Sequence, residues 1–308
     1  MTRVRTTRVK TTGGRATGVA RGKATAIGFT AVLMWALLAV LTIGSAPVPP
    51  LQLNALCFAL GGGLGLAWTA RRGLGVLRTV PWTAYALGTA GLFLYHLVYF
   101  TAFRLAPSPE TGLIAYLWPL LIVLMSGLLP GEKLRPLHLA GAGLALAGAA
   151  LIVLPGDGQS ASQAAPLGLA LALLCALIWS GYSVLSRRFG QVPTEAVAIY
   201  CLATAGLSAL AHLAVETTVW PASPLGWGAI LALGLGPVGA AFFTWDVGMK
   251  RGDIQLLGTA SYAAPLLSTL ALLATGHGQA SARLVLAAVL IAAGAGLAAV
   301  AGRQVNAR

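Results

Sequence analysis

Charge is scarce in this chain. Its 308 residues include 7 Asp and Glu and 20 Lys and Arg, 9% charged in all, against roughly 25% in soluble domains. A soluble globular enzyme is excluded on that ground. Acidic residues are the scarcest. Glu110, Glu132, Asp157, Glu195, Glu216, Asp246 and Asp253 all fall in or beside the ends of apolar stretches, with Asp246 reaching at most one turn inward. A sodium site, a carboxylate proton relay and ion pairing to a substrate amine all want a buried carboxylate, so each is disfavoured. Cysteine is equally sparse: Cys57, Cys175 and Cys201 stand singly, without a CxxC pair, so neither a metal site nor a disulfide framework is indicated and no cofactor is expected. The Gly61–Gly65 run lacks the Gly-Lys-Ser/Thr of a phosphate loop.

Apolar residues make up 57% of the chain. Windows of about 19 residues mark ten candidate spans, near 24–44, 51–70, 81–103, 110–129, 136–154, 166–186, 194–214, 225–247, 254–275 and 282–302. At about 20 residues per crossing, these leave no room for a sizeable aqueous domain. The expected fold is therefore an all-α integral membrane protein of ten transmembrane helices.

Residues 1–23 carry Arg3, Arg5, Arg8, Lys10, Arg15, Arg21 and Lys23 and no acidic residue, which reads as a disordered basic cytoplasmic tail. A cleaved signal peptide fits less well, because the apolar run that follows exceeds the 7–15 residues of such a segment. Basic residues sort by side. With the N-terminus inside, the tail, Arg71, Arg72, Arg78, Lys133, Arg135, Arg187, Arg188, Lys250, Arg251, Arg303 and Arg308 all fall in cytoplasmic segments, leaving Arg104 and Arg283 outside. The positive-inside rule then places both termini of a multi-pass membrane protein in the cytoplasm. Charge distributed in this way is a topology signal, so no nucleic-acid partner is expected.

The two halves resemble each other. At an offset of about 146 positions, Gly112, Tyr116, Pro119, Leu120, Leu121 and Leu124 fall on Gly258, Tyr262, Pro265, Leu266, Leu267 and Leu270, and Gly148 on Gly294; at 144, Trp35 meets Trp179. Five spans per copy is an odd number, so the second copy is inverted, an arrangement suited to alternating access. The domains expected are 24–154 and 166–302, two inverted five-helix repeats joined by an extracytoplasmic linker at 155–165, with 303–308 as a cytoplasmic C-terminus.

Polar and aromatic groups at mid-depth are the candidate functional residues, because lipid offers no hydrogen bonds. His96 lies near the middle of the third span, with Tyr95 and Tyr99 beside it. It is either a substrate contact, a protonatable switch or a neutral histidine bonded to another helix. Trp35, Trp118 and Trp179 lie deep and carry N–H groups that need partners, whereas Trp68, Trp82, Trp220 and Trp227 sit at span ends as interfacial anchors. Tyr116, Tyr182, Trp245 and Tyr262 complete a substrate-binding set with Tyr95, His96, Tyr99, Trp118 and Trp179, lining a central cavity for an aromatic or bulky apolar solute; ordinary helix packing is the alternative for each. Pro119 and Pro265 are the expected hinges, freeing the carbonyls of Ala115 and Ser261. Gly141, Gly143, Gly148, Gly294 and Gly296 allow close helix approach, with a homodimer through span five or ten as an extension and a monomer as the alternative.

These features resemble the EamA branch of the drug/metabolite transporter superfamily. The likeness rests on Met34-Trp35, Ile178-Trp179-Ser180, Tyr99 to Arg104, Trp245 to Lys250, and Tyr-x-x-Pro-Leu-Leu at 116–121 and 262–267. Tyr95-His96-x-x-Tyr99 and Tyr116-x-Trp118-Pro119 look most like its aromatic amino-acid exporters, the YddG type. The resemblance implies ten helices around a central cavity and outward movement of amino acids across the bacterial inner membrane by alternating access, with the lipid bilayer and a small-molecule amino acid as partners. It also implies that Tyr95, His96, Tyr99, Tyr116, Trp118 and Trp179 border the substrate path. Met34 and Trp35 stand where the small multidrug transporters place a glutamate, which disfavours proton-driven cation antiport. Export of another metabolite or hydrophobic drug on the same fold is the alternative. A remoter one is an intramembrane enzyme using Ser180, against which stand Ile178, where a rhomboid-type protease wants Gly, and a mid-depth inventory of one histidine.

Overall fold

The computed structural model describes residues 13–105, 111, 114–153, 166–274 and 281–306. Residues 1–12 of the expected tail, the linker 155–165, Glu110, Gly112 and Asp157 lie outside the described residues. The described chain is helical throughout and contains no strand.

The first half runs α1 (Gly13–Trp35), α2 (Leu38–Gly44), α3 (Pro50–Arg72), α4 (Trp82–Leu105), α5 (Trp118–Ser126) and α6 (Pro136–Val153). The second runs α7 (Pro166–Ser186), α8 (Ala196–Val215), α9 (Pro224–Leu235), α10 (Ala241–Arg251), α11 (Ile254–Ala260), α12 (Ala263–Ala274) and α13 (Ala282–Asn306). Among the described residues, six segments are long and apolar enough to cross a membrane: Ala20–Gly44, Pro50–Arg72, Pro166–Phe189, Ala196–Val215, Pro224–Arg251 and Ala282–Ala301.

Helix α1 begins at Gly13, inside the stretch assigned to a disordered tail, so residues 13–23 are corrected to helix. The physical reason is tertiary. Arg21 reaches Glu132 at 3.3 Å and Asp253 at 3.6 Å, which ties this turn to the rest of the bundle.

Other boundaries follow local chemistry. Pro50 opens α3 behind an extended Pro49, and Glu216 accepts from the N–H groups of Leu51 and Gln52 at 3.1 Å each, placing a carboxylate at a helix N-terminus. Ser223 caps α9 through Gly226 N–H at 3.2 Å, and Asp253 caps α11 through Leu256 N–H at 3.0 Å.

Several rods are broken. Turns at Ala36–Leu37, Tyr116–Leu117 and Ser261–Tyr262 separate α1 from α2, precede α5, and separate α11 from α12. A π turn at Gly236–Ala240 joins α9 to α10, as the density of Gly and Pro there predicts. One expectation is corrected: the Ser261 carbonyl is not freed by Pro265, because it accepts from Ala264 N–H at 3.0 Å as the turn tightens.

The densest packing joins one half to the other: α6 with α13, α3 with α8, α4 with α7, and α1 with α10. Close backbone approach is clearest between α6 and α13. A Cβ on Gly141 would lie 2.6 Å from the Gly294 carbonyl oxygen, and one on Gly294 2.5 Å from that of Gly141. Gly143, two positions on, has nothing within 4 Å of such a Cβ.

Candidate functional site

A cavity of about 1100 Å³ occupies the centre of the bundle. Its wall is aromatic on one side, with Trp35, Tyr95, His96, Tyr99, Trp118, Trp179 and Phe242, and it runs up to Ile43, Pro47 and Pro50 at the α2–α3 connection. Ile43, 52% exposed, marks the mouth at that end. Since α1 starts at the opposite end, beside Arg21, the cavity opens away from the basic N-terminal end. Among the described residues no Asp, Glu, Lys or Arg lines it.

Broken helices build the aromatic wall. Trp35 sits on the last turn of α1, where its indole N–H donates to the Pro237 carbonyl in the π turn at 3.0 Å. Its ring lies 5.1 Å from that of Trp245, 5.6 Å from Trp179 and 6.2 Å from Trp118. Tyr95 packs against Trp179 at 5.1 Å and stacks with Tyr99 at 5.9 Å, as expected for residues one turn apart on α4. Trp118 and Trp179 border the cavity, and each carries an indole N–H. An indole N–H is a donor that a solute can use.

His96 Nδ1 lies 2.7 Å from the Leu92 carbonyl oxygen. A carbonyl only accepts, so that nitrogen carries the proton, and in the neutral ring Nε2 is left as an acceptor. Asn54 joins the cavity lining, its amide donating to Ser208 Oγ at 2.7 Å. Sequence reasoning missed Asn54, although an amide within an apolar run is itself a signal in a membrane. Ser268 of α12 was missed as well.

Six of the expected substrate residues, Tyr95, His96, Tyr99, Tyr116, Trp118 and Trp179, share this one cavity. Tyr182, Trp245 and Tyr262 do not border it. Trp245, 1% exposed, donates to Ser183 Oγ at 3.1 Å behind the wall. Tyr182 packs with Tyr200 and Phe189 toward the far end of α7. Tyr262 is fully buried, and its hydroxyl accepts from Leu120 N–H at 3.2 Å, just after Pro119. Tyr116 and Tyr262, equivalent by sequence offset, thus have different surroundings. Pro119 and Pro265 are buried one turn or less beyond the helix breaks.

Two further residues behave unlike their sequence reading. Lys250, expected in a loop, is buried and pairs with Asp246 at 2.8 Å, and it also donates to the Val192 carbonyl at 3.0 Å. Thr194 donates to the second Asp246 oxygen at 2.8 Å. The i,i+4 spacing of the two charges was the available clue. Ser180 donates to the carbonyls of Ala176 at 2.6 Å and Trp118 at 3.0 Å, so its hydroxyl joins two helices and is not poised as a nucleophile.

Comparison with known proteins matches this arrangement. The profile of the EamA-like transporter family fits the chain twice, at residues 22–154 and 166–300. A protein of Ancylobacter novellus, named aromatic amino acid exporter YddG, is 53% identical over 291 residues, which is 93% of this chain and 100% of that protein. A protein of the same name from Salmonella typhimurium is 27% identical over 260 residues, 80% of this chain and 86% of its own. A solved crystal structure superposes with a TM-score of 0.87 at 52% identity, covering 92% of this chain and 98% of that one.

Proposed function

Because the chain belongs to the EamA-like transporter family, we propose that it exports aromatic and other bulky neutral amino acids, moving them by alternating access through the central cavity. The observation that carries this reading is the cavity itself. About 1100 Å³ of space faces indole and phenol rings, and among the described residues no Asp, Glu, Lys or Arg lines it. Such a wall holds a flat apolar side chain, and a few polar handles orient the rest of the solute. The relatives named as aromatic amino acid exporters support the same substrate class.

The chain crosses the membrane ten times in this reading. The rods around 82–105, 111–126, 136–153 and 254–274 join the six long apolar segments. A two-fold relation between the halves is supported by the packing, and five crossings in each half make it an inverted one. Numbering the crossings in order, the contacts between halves include one with eight, two with seven, three with six, four with nine, and five with ten. Exchanging each crossing with the one five places on returns the same set of pairs, as a two-fold relation between halves requires. Both termini face the bacterial cytoplasm, since that orientation puts all Lys and Arg but Arg104 and Arg283 on the inner side.

Counterflow uptake of labelled phenylalanine, tryptophan, leucine and lysine into reconstituted vesicles tests the proposal. Saturable uptake of the aromatic solutes, lost in Trp118→Ala and Trp179→Ala, is the expected result. Vesicles with folded protein that stay silent for every aromatic amino acid would overturn the substrate assignment.

A further inference from the structure

At the end of the bundle opposite the cavity mouth, four charged side chains from four different segments meet. Arg21 of α1 lies 3.3 Å from Glu132 and 3.6 Å from Asp253. Arg187, directly after α7, pairs with the same Glu132 and also donates to the carbonyls of Met249 and Gly252 at 2.9 Å each. Asp253 N–H donates to Thr25 Oγ1 at 2.8 Å, a second tie from α11 back to α1. Two guanidinium groups thus face two carboxylates, with Arg135 and His138 beside them.

We propose that this cluster is the latch of the basic end, holding it shut while the cavity is open at the other. The inference rests on the alternating-access reading and goes beyond it by naming the contacts that must part.

The origin of the partners is the first argument. Asp253 caps the rod broken at Ser261–Tyr262, and Glu132 lies in the connection that leaves the rod broken at Tyr116–Leu117, six residues past the end of α5. Both arginines come from the rods that carry Trp35 and Trp179. A bend at either break swings a carboxylate relative to a guanidinium.

Position is the second argument. Trp179, Ser183 and Arg187 follow one another at i, i+4 and i+8, so one helix face leads from the cavity wall, past the Ser183–Trp245 bond, to the cluster, about 12 Å along the axis at 1.5 Å per residue. No part of the cavity lining lies beyond that wall toward the arginines.

The third argument is that the latch is breakable. The side chains of Arg21, Glu132, Arg187 and Asp253 are 29%, 9%, 19% and 15% exposed, so water reaches them as they part. A pair at this depth avoids the large penalty of separating fully buried charges. The neighbouring Asp246–Lys250 pair, at 1% and 3%, has no such access and is a fixed strut by comparison.

The test reads access from each side. Cys57, Cys175 and Cys201 are first replaced by Ala. Val32→Cys then reports on a fully buried position of α1 between Arg21 and Trp35, and Ile43→Cys reports on the mouth. In oriented vesicles treated with a membrane-impermeant maleimide, Asp253→Asn is expected to raise labelling of Val32→Cys from the arginine side at least threefold and to lower that of Ile43→Cys from the other. Asparagine keeps an oxygen for the Leu256 cap, so only the charge is lost. Glu132→Gln, which loosens both arginines, should give the larger shift. Unchanged rates at both positions in folded Asp253→Asn protein would overturn the latch. Counterflow in the parent protein is scored separately: silence there overturns the substrate reading and leaves the labelling result to judge the latch.

Discussion

The indole N–H of Trp35 donates to the carbonyl of Pro237 at 3.0 Å, across 202 positions of sequence. The bond fastens the break after α1 to the π turn before α10, and the two irregularities are thereby one structural feature. Trp35→Phe keeps an aromatic ring there and removes the donor. Loss of such a bond costs about 0.5–1.5 kcal/mol, so the thermal midpoint in detergent should fall by a few degrees; an unchanged midpoint would show that the carbonyl finds another partner.

Tyr116 and Tyr262 allow the cavity and the scaffold to be tested separately. Tyr262→Phe orphans the Leu120 N–H and should lower stability by about 1 kcal/mol with little change in KM for the transported solute. Tyr116→Phe alters the cavity wall and should change KM with little effect on the unfolding midpoint. Measuring both quantities on both variants checks the assignment, and identical profiles would refute it.

Glycine spacing gives a third contrast. Gly141→Ala drives a methyl to 2.6 Å from the Gly294 carbonyl, forcing α6 and α13 apart. Overpacking of this kind costs about 1–3 kcal/mol, and the folded yield should drop. Gly143→Ala meets nothing within 4 Å and should express as the parent does.

The buried strut makes a fourth. Lys250→Met leaves Asp246 without its cation at 1% exposure. Removing one member of a buried pair costs about 3–5 kcal/mol, so this variant should be poorly folded. Asp246→Leu combined with Lys250→Met should recover much of the yield, measured as monodisperse protein after extraction.

Much of this structure is legible in the sequence because a bilayer restricts what a chain can do. Apolar runs located the helices, and Tyr-x-x-Pro located two of the breaks, since proline removes a backbone donor wherever it stands. The break at Ala36–Leu37 has no such punctuation. It arises beside a tertiary bond, from Trp35 to Pro237, which no local pattern encodes. The turn of α1 around Arg21 is likewise tied down by partners far away in sequence. Tyr182, Trp245 and Tyr262 show a further limit. In a bundle a helix has several buried faces, and helical spacing identifies them without saying which one meets the cavity.

The pairing of helices also bears on synthesis. Because α1, α3, α4 and α6 each find their densest contacts in the second half, the first half leaves the ribosome with its main packing surfaces unmet. At about 5–20 residues per second, it waits many seconds in the lipid before those surfaces are covered. During that interval glycine-lined and polar-flecked faces stand open to proteases and to other nascent chains. Assembly is thus a late event, and a ribosome that stalls between the halves leaves a fragment whose fate is degradation.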